Sequence, residues 1–244
     1  MRALLVAGLV LAVAAPAWAQ SPLAADVRTW ATRYHEDPAQ LDRLRAGLAQ
    51  ALKTDSHVDN LIALAWVCYI WGDVRAKTTD EKLEAYDEGR QAAKRAVELA
   101  PRNALAHLWY GVNTGRWGQT KGVLRSLFLL PTVKEEIEIT LELNPKLVGA
   151  YSLAGNVYYE VPGLFGGDLD KSEEMFRKGL EIDPRFTGLR VGLAKTLIKK
   201  GRIPEARREL EAVLAEKTPS NRADWTLKDS KQARELLASI RGKS

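Results

Sequence analysis

Residues 187–218, TGLRVGLAKTLIKKGRIPEARRELEAVLAEKT, restrict this chain more than any other stretch. At helical spacing they form two amphipathic helices joined by one tight turn. Leu189, Leu193, Leu197 and Ile198 line one face of the first helix. Ala206, Leu210, Val213 and Leu214 line one face of the second. Gly201 lies between them, where a left-handed residue closes a helix and a Cβ would cost roughly 1–2 kcal/mol. Pro204 and Glu205 suit a first turn: proline loses no hydrogen bond there and a carboxylate faces the positive end of the dipole. A lone helical hairpin cannot bury both of its faces, so such a unit requires stacked neighbours.

The neighbours are legible. Apolar helical text followed by a proline recurs at AKRAVELAP, IEITLELNP and FRKGLEIDP, ending on Pro101, Pro145 and Pro184. A new helix follows each: ALAHLWYGVNTGRW, LVGAYSLAGNVYYE and the first helix described above. VDNLIALAWVCYIWG opens an earlier unit. The four units run 58–103, 104–147, 148–186 and 187–220, and the first three are lengthened by insertions between their helices. A small residue recurs where paired helices approach: Ala65, Gly111, Gly155 and Ala194. The last unit resembles a tetratricopeptide repeat, with Leu193, Ala194, Leu197, Gly201, Ala206, Leu210, Val213 and Leu214 at that family's small and apolar positions. Its closing proline is displaced by one, to Pro219. The expected fold is all-α: a right-handed superhelix of about four hairpins. Two helical patterns in residues 20–57 cover one end, the second opened by Asp37 and Pro38. A C-terminal capping helix over residues 221–244 covers the other.

The first 19 residues stand apart. Met1 and Arg2 precede the short apolar run ALLVAGLVLAVAA, and Ala17-Trp18-Ala19 gives a small-x-small cleavage site before Gln20, the pattern of a secretory signal peptide. The expectation is therefore an exported, periplasmic chain with no stable membrane anchor once the leader is removed. The single cysteine, Cys68, excludes an intramolecular disulfide and any lipid attachment just after the cut, and its apolar setting suits a buried small hydrophobe. Charge is uneven. Residues 185–244 hold 15 Lys/Arg against 7 Asp/Glu, leaving the rest of the chain slightly acidic. That basic end is read as a solvated face or as an attraction for an acidic partner or anionic lipid, with no nucleic-acid partner expected.

The two later insertions, TGRWGQTKGVLRSLFLLPTVKEE and EVPGLFGGDLDKSEE, carry the most specific text, with Asp168 or Asp170 as the cap of the helix that follows the second. Through Gly166, Gly167, Asp168, Lys171 and Phe176, together with the repeats and the leader, the chain resembles the T-components of tripartite periplasmic (TRAP-type) transporters. Through AKRAVELAPRNALAHLWYG it also resembles the tetratricopeptide domain of the eukaryotic microtubule-dynamics regulators. The first resemblance implies an accessory of solute uptake beside a periplasmic solute-binding protein. Its alternative form is an oligomeric pore sheltering a small apolar ligand.

Enzyme constellations are not found. His35, His57 and His107 stand apart from one another and from Cys68, with no metal-binding spacing, and His107 takes a packing slot. The glycine-rich turns at 163–168 and 118–122 lack the lysine-serine or lysine-threonine pair of a phosphate loop. No cofactor, metal or catalytic residue is expected; the function implied is protein binding by a scaffold. In such stacks the first helix of each hairpin lines the concave side. The candidate binding residues there are Trp66, Tyr69, Arg116, Asn156, Tyr159, Lys195 and Lys199, with Ile62, Leu108, Val112 and Ser152 in neighbouring slots. A second candidate is GVLRSLFLLP, where Leu127, Phe128 and Leu130 either fold back on the core or present an apolar contact surface to a partner, a ligand or a second copy.

Overall fold

The computed structural model describes residues 21–242; the signal-peptide reading of residues 1–19 lies outside them. Helices follow one another with short turns between: α1 (Pro22–Trp30), α2 (Ala39–Ala51), α3 (Val58–Val74), α4 (Thr79–Leu99), α5 (Ala104–Lys121), α6 (Val123–Leu143), α7 (Val148–Glu160), α8 (Leu169–Ile182), α9 (Thr187–Lys199) and α10 (Ile203–Ala215). Among the described residues there is no strand. α3–α4, α5–α6, α7–α8 and α9–α10 pack as antiparallel hairpins, each stacked on the next, and α1 and α2 lie against α3.

Local chemistry sets the helix ends. Thr78 and Glu81 form a reciprocal capping box at the start of α4. Asn103 accepts from the amides of Leu105 and Ala106 at the start of α5. Asp168, not Asp170, caps α8 by accepting from Asp170 N and Lys171 N at 2.9 and 3.1 Å. Asp37 accepts from Ala39 N beside Pro38 at the start of α2. Gly201 closes α9 with φ +74°.

The insertions differ from expectation in two units. In the first and second hairpins the extra residues lengthen the helices themselves, α4 and α6 reaching 21 residues each. Only Gly122, at φ +113°, separates α5 from α6, and α6 runs through Pro131. Pro131, ninth of the 21 residues, offers no amide to the Leu127 carbonyl, and the helix continues through it behind a leucine-rich run. In the third hairpin the insertion is a true loop holding one 3-10 turn, Gly163–Phe165.

The C-terminal segment differs more. In place of a loop and a plain cap, Arg222–Asp224 (α11), a π-helical turn over Trp225–Asp229 and α12 (Ser230–Ser239) form one continuous helical rod. α12 packs on α10 and α9, as a cap should. The start of the rod reaches the opposite end of the chain. Ala223 N donates to Thr32 O at 3.0 Å, and Tyr34 Oη to Asp224 Oδ1 at 2.5 Å. The two ends of the superhelix therefore touch.

Close approach between hairpins depends on small residues. Phe176 of α8, 1% exposed, fits its ring between Gly155 of α7 and Gly192 of α9. A Cβ on Gly155 would meet that ring at 2.7 Å. Gly155→Leu should therefore destabilise the chain by about 1–3 kcal/mol through overpacking. Thermal melting should show the loss at roughly 2–4 °C per kcal/mol for a chain of this size.

Candidate functional site

α3, α5, α7 and α9 present their first-helix faces to the inside of the curve, and the C-terminal rod crosses the opening. Between them lies a cavity of about 620 Å³. Its floor is aromatic: Trp66 stacks on Trp109 with ring centroids 5.3 Å apart, and Tyr69 tilts against Trp109 at 5.7 Å. Leu108 and Val112 continue the floor, while Ser152, Asn156 and Lys195 form the polar wall from α7 and α9.

At the mouth sits a network of buried charge. The Asp73 carboxylate accepts from Tyr86 Oη at 2.6 Å and from Arg116 Nη2, and lies 3.5 Å from Lys228 Nζ. Lys228 in turn lies 3.1 Å from Asp224 and about 6 Å from the rings of Tyr34 and Tyr69. Burial would raise the Asp73 pKa, but the Arg116 and Lys228 cations outweigh it and hold the carboxyl below the usual range. Burial would lower the Lys228 pKa, but Asp224, Tyr69 and Asp73 raise it, so the ammonium stays charged. Burial, followed by the Asp73 charge, pushes the Tyr69 phenol up to about 12. Asp229, 8% exposed, accepts from Thr187 Oγ1 at 2.6 Å, and burial raises its pKa to about 6.

The structure brings together most, though not all, of the candidate binding residues. Trp66, Tyr69, Arg116, Asn156 and Lys195 line the cavity, as do Leu108, Val112 and Ser152. Tyr159 and Lys199 do not. They pair with each other at the rim, the Lys199 ammonium 3.6 Å from the Tyr159 ring centroid and 3.1 Å from its carbonyl oxygen. Ile62, 7% exposed, belongs to the core beside α1. Lys195 points at the Glu160 carboxylate, 3.6 Å away, and the Tyr159 ring.

Sequence spacing did not reveal Asp73, Trp109, Thr187, Asp224, Lys228 or Asp229. Trp109 is the one with a readable signal, since it is an aromatic beside His107 and Leu108 in the second unit. The second candidate surface is split. Phe128 is 73% exposed, whereas Leu127 and Leu130 are half-buried.

Other reactive-looking groups have structural surroundings. His107 is buried with Nδ1 2.6 Å from Glu136 and Nε2 2.9 Å from the Pro101 carbonyl, to which it donates, so it ties α5 to α6 and to the preceding turn. Burial raises the Glu136 pKa. Cys68 is buried beside Glu88 and burial pushes its thiol up, the opposite of what a nucleophile needs. Much of the C-terminal positive charge is used internally: Arg202 bridges Glu173 and Glu205, Lys200 bridges Glu173 and Asp170, and Arg190 pairs with Glu209. Among the described residues no group of His, Cys, Asp and Glu could hold a metal ion.

Stacked helical hairpins with a lined concave face define a tetratricopeptide-repeat protein, and comparison with known proteins agrees. Residues 166–228 match the tetratricopeptide repeat profile. Residues 26–164, more than half of the chain, match the profile of regulator of microtubule dynamics proteins 1–3, and the chain belongs to that family. Regulator of microtubule dynamics protein 3 of Mus musculus is 25% identical over 205 residues, covering 78% of this chain and 42% of the relative. Protein 1 of Mus musculus is 30% identical over 128 residues, 46% of this chain and 42% of the relative. The chain thus spans less than half the length of the curated relatives it matches. Among solved structures, a thermophilic TPR protein of Thermus thermophilus superposes with a TM-score of 0.64 at 16% identity, over 89% of this chain and 98% of the other. PilF of Pseudomonas aeruginosa does so with 0.53 at 16% identity, over 90% of each. Both likenesses concern the fold alone.

The Asp229 carboxyl gives a pH test with a definite sign. Its folded pKa, about 6, lies above the ordinary 3.8, so the fold prefers the protonated form. That preference is fully present below the unfolded pKa and is lost as pH rises through the folded value, a loss of up to about 3 kcal/mol. Asp229→Asn cannot ionise. Urea unfolding should therefore show the variant gaining stability relative to the wild type between about pH 4 and pH 7.5, the other carboxylates cancelling in the comparison.

Proposed function

We propose that the chain is an exported, non-catalytic scaffold that takes an extended segment of a partner polypeptide into its concave cavity. One observation carries this reading. The concave side holds a cavity of about 620 Å³ floored by Trp66, Tyr69 and Trp109 and walled by polar side chains of α7 and α9. The stacked Trp66 and Trp109 rings supply apolar area at low entropic cost for the peptide's side chains. The lining charges nearly balance, so the site suits a segment of low net charge. The expected leader supports export to the periplasm, and the glycine-rich turn supports the finer reading of an accessory to TRAP-type uptake, with a solute-binding protein as the partner.

A second reading has one observation in its favour. The C-terminal rod crosses the cavity within a single chain, so a small apolar ligand would be sheltered there without an oligomeric pore. Microtubule regulation, named in the relatives, has no counterpart among the cavity residues and is not part of either reading.

Ser152, half-buried on the cavity wall, allows a direct test. Ser152→Trp should fill the cavity and abolish binding of peptides selected by display against the wild type, while leaving the melting temperature near its original value. Full retention of those peptides would refute the site. Native mass spectrometry of the purified wild type separates the two readings, since a co-purified small molecule favours the second. N-terminal sequencing of the mature chain should begin at Gln20; an intact Met1 would remove the export component.

A further inference from the structure

The most exposed large apolar side chains lie away from the cavity. Val123, Leu124 and Phe128 at the start of α6 are 71%, 86% and 73% exposed, and Leu164 on the 3-10 turn before α8 is 90% exposed. Val123, Leu124 and Phe128 project from the start of α6, and Lys134 further along the same helix contacts the turn that bears Leu164. Leu124, Phe128 and Pro131 share a helical face with Leu127 and Lys134, at three- and four-residue spacing. Lys134 then reaches the turn itself, its ammonium 3.5 Å from the Gly166 carbonyl. None of residues 123–131 lines the cavity.

The charge around the start of α6 is positive, and the first acid on the same face is Glu135, beside Lys134. No Asp or Glu occurs between Glu98 and Glu135, whereas Lys121, Arg125 and Lys134 flank the apolar residues. Lys121 and Arg125 lie over the Trp117 ring at 5.6 and 5.8 Å, and Arg125 also lies 5.7 Å from the Phe128 ring centroid. The nearest acids on the turn side are engaged: Asp168 caps α8, and Asp170 pairs with Lys200 at 2.5 Å.

We propose that the start of α6 and the 3-10 turn form a peripheral docking surface for an anionic lipid bilayer. Protruding aliphatic and aromatic side chains, rimmed by cations, are what an interfacial helix inserts below lipid headgroups. A fluid bilayer accommodates isolated prongs, whereas a protein partner needs matching pockets to gain from them. A second copy docked about a two-fold axis would set like cations against each other. Among the described residues no helix is long and apolar enough to cross a membrane, so the contact is superficial.

A local probe tests this without interference from residues 1–19. Phe128→Cys carries an environment-sensitive fluorophore; Cys68 is buried with its thiol pKa raised, and stays unlabelled. With vesicles of equal parts phosphatidylglycerol and phosphatidylcholine, the emission should shift to the blue, and with phosphatidylcholine alone it should not. Adding Leu124→Ser and Leu164→Ser should weaken vesicle affinity by roughly tenfold or more. Lys121→Gln and Arg125→Gln should each weaken it about fivefold, in a salt-dependent way. These positions are exposed, so the far-ultraviolet spectrum and melting should stay unchanged, and the charge variants keep the test decisive if the serine variants unfold. An unshifted spectrum on anionic vesicles overturns the proposal. So does a lipid-independent shift that grows with protein concentration, which would assign the surface to a second copy. Capture by a protein that leaves vesicle binding absent would likewise overturn it.

Discussion

The C-terminal rod meets the front of this superhelix through hydrogen bonds and a buried charge network centred on one ammonium. Lys228 lies between Asp73 of the first hairpin and Asp224 of the C-terminal rod, 3.5 and 3.1 Å away, and so reaches a carboxylate 155 positions before it in the chain. In an ordinary helical solenoid each repeat touches only its neighbours, and stability adds along one dimension. Here the last element also contacts the first. Removing one partner from such a network leaves another charge buried without compensation, which is far costlier than never having placed the group there. The network persists because it is nearly complete: Asp73 accepts from Tyr86 and Arg116 as well as facing Lys228, and Tyr34 and Asn221 both donate to Asp224.

The curvature that brings the ends within reach is set by where backbone replaces side chain. At the junction of the last two hairpins, the Phe176 ring occupies the space that Cβ atoms on Gly155 and Gly192 would fill. At the first hairpin, Tyr86 rests on Gly72 in the same way while its hydroxyl meets Asp73. A single aromatic thus serves two roles there, packing one helix against another and fixing the carboxylate that the C-terminal rod requires. Packing in the hairpins and electrostatics at the mouth are therefore coupled through Tyr86 and Arg116, whose guanidinium lies 5.4 Å from the Tyr86 ring centroid.

What could be read from the sequence was local. Gly201, Pro204, Asp168 and the prolines after α4, α6 and α8 act within one turn of helix, so their chemistry is visible in a short window. The four hairpins follow from a 3.6-residue period that each stretch repeats by itself. The cavity was half legible: Trp66, Tyr69, Arg116, Asn156 and Lys195 follow from the rule that first helices face inward. Its other half comes from residues 224–229, whose partners at Asp73 and Thr187 are remote in sequence, and no periodicity connects them. Residues 123–131 were ambiguous for another reason. An apolar run specifies helix well but says nothing about which face is covered, and Leu127 and Phe128, adjacent in sequence, have different exposure.

That ambiguity has a physical origin. The start of α6 extends past the end of the neighbouring α7, which at 13 residues is far shorter than the 21 of α6. A helix that outruns its neighbour loses the surface that would cover its outer face, so its side chains meet water unless something else meets them. Burying them within the chain would have required α7 to be longer, and the loop at 161–168 instead turns back at Lys134. The apolar residues at the start of α6 therefore cannot be explained by the stability of the isolated chain, to which exposed Leu124 and Phe128 contribute little. None of residues 123–131 lines the concave cavity, so an occupant of the cavity would not touch them.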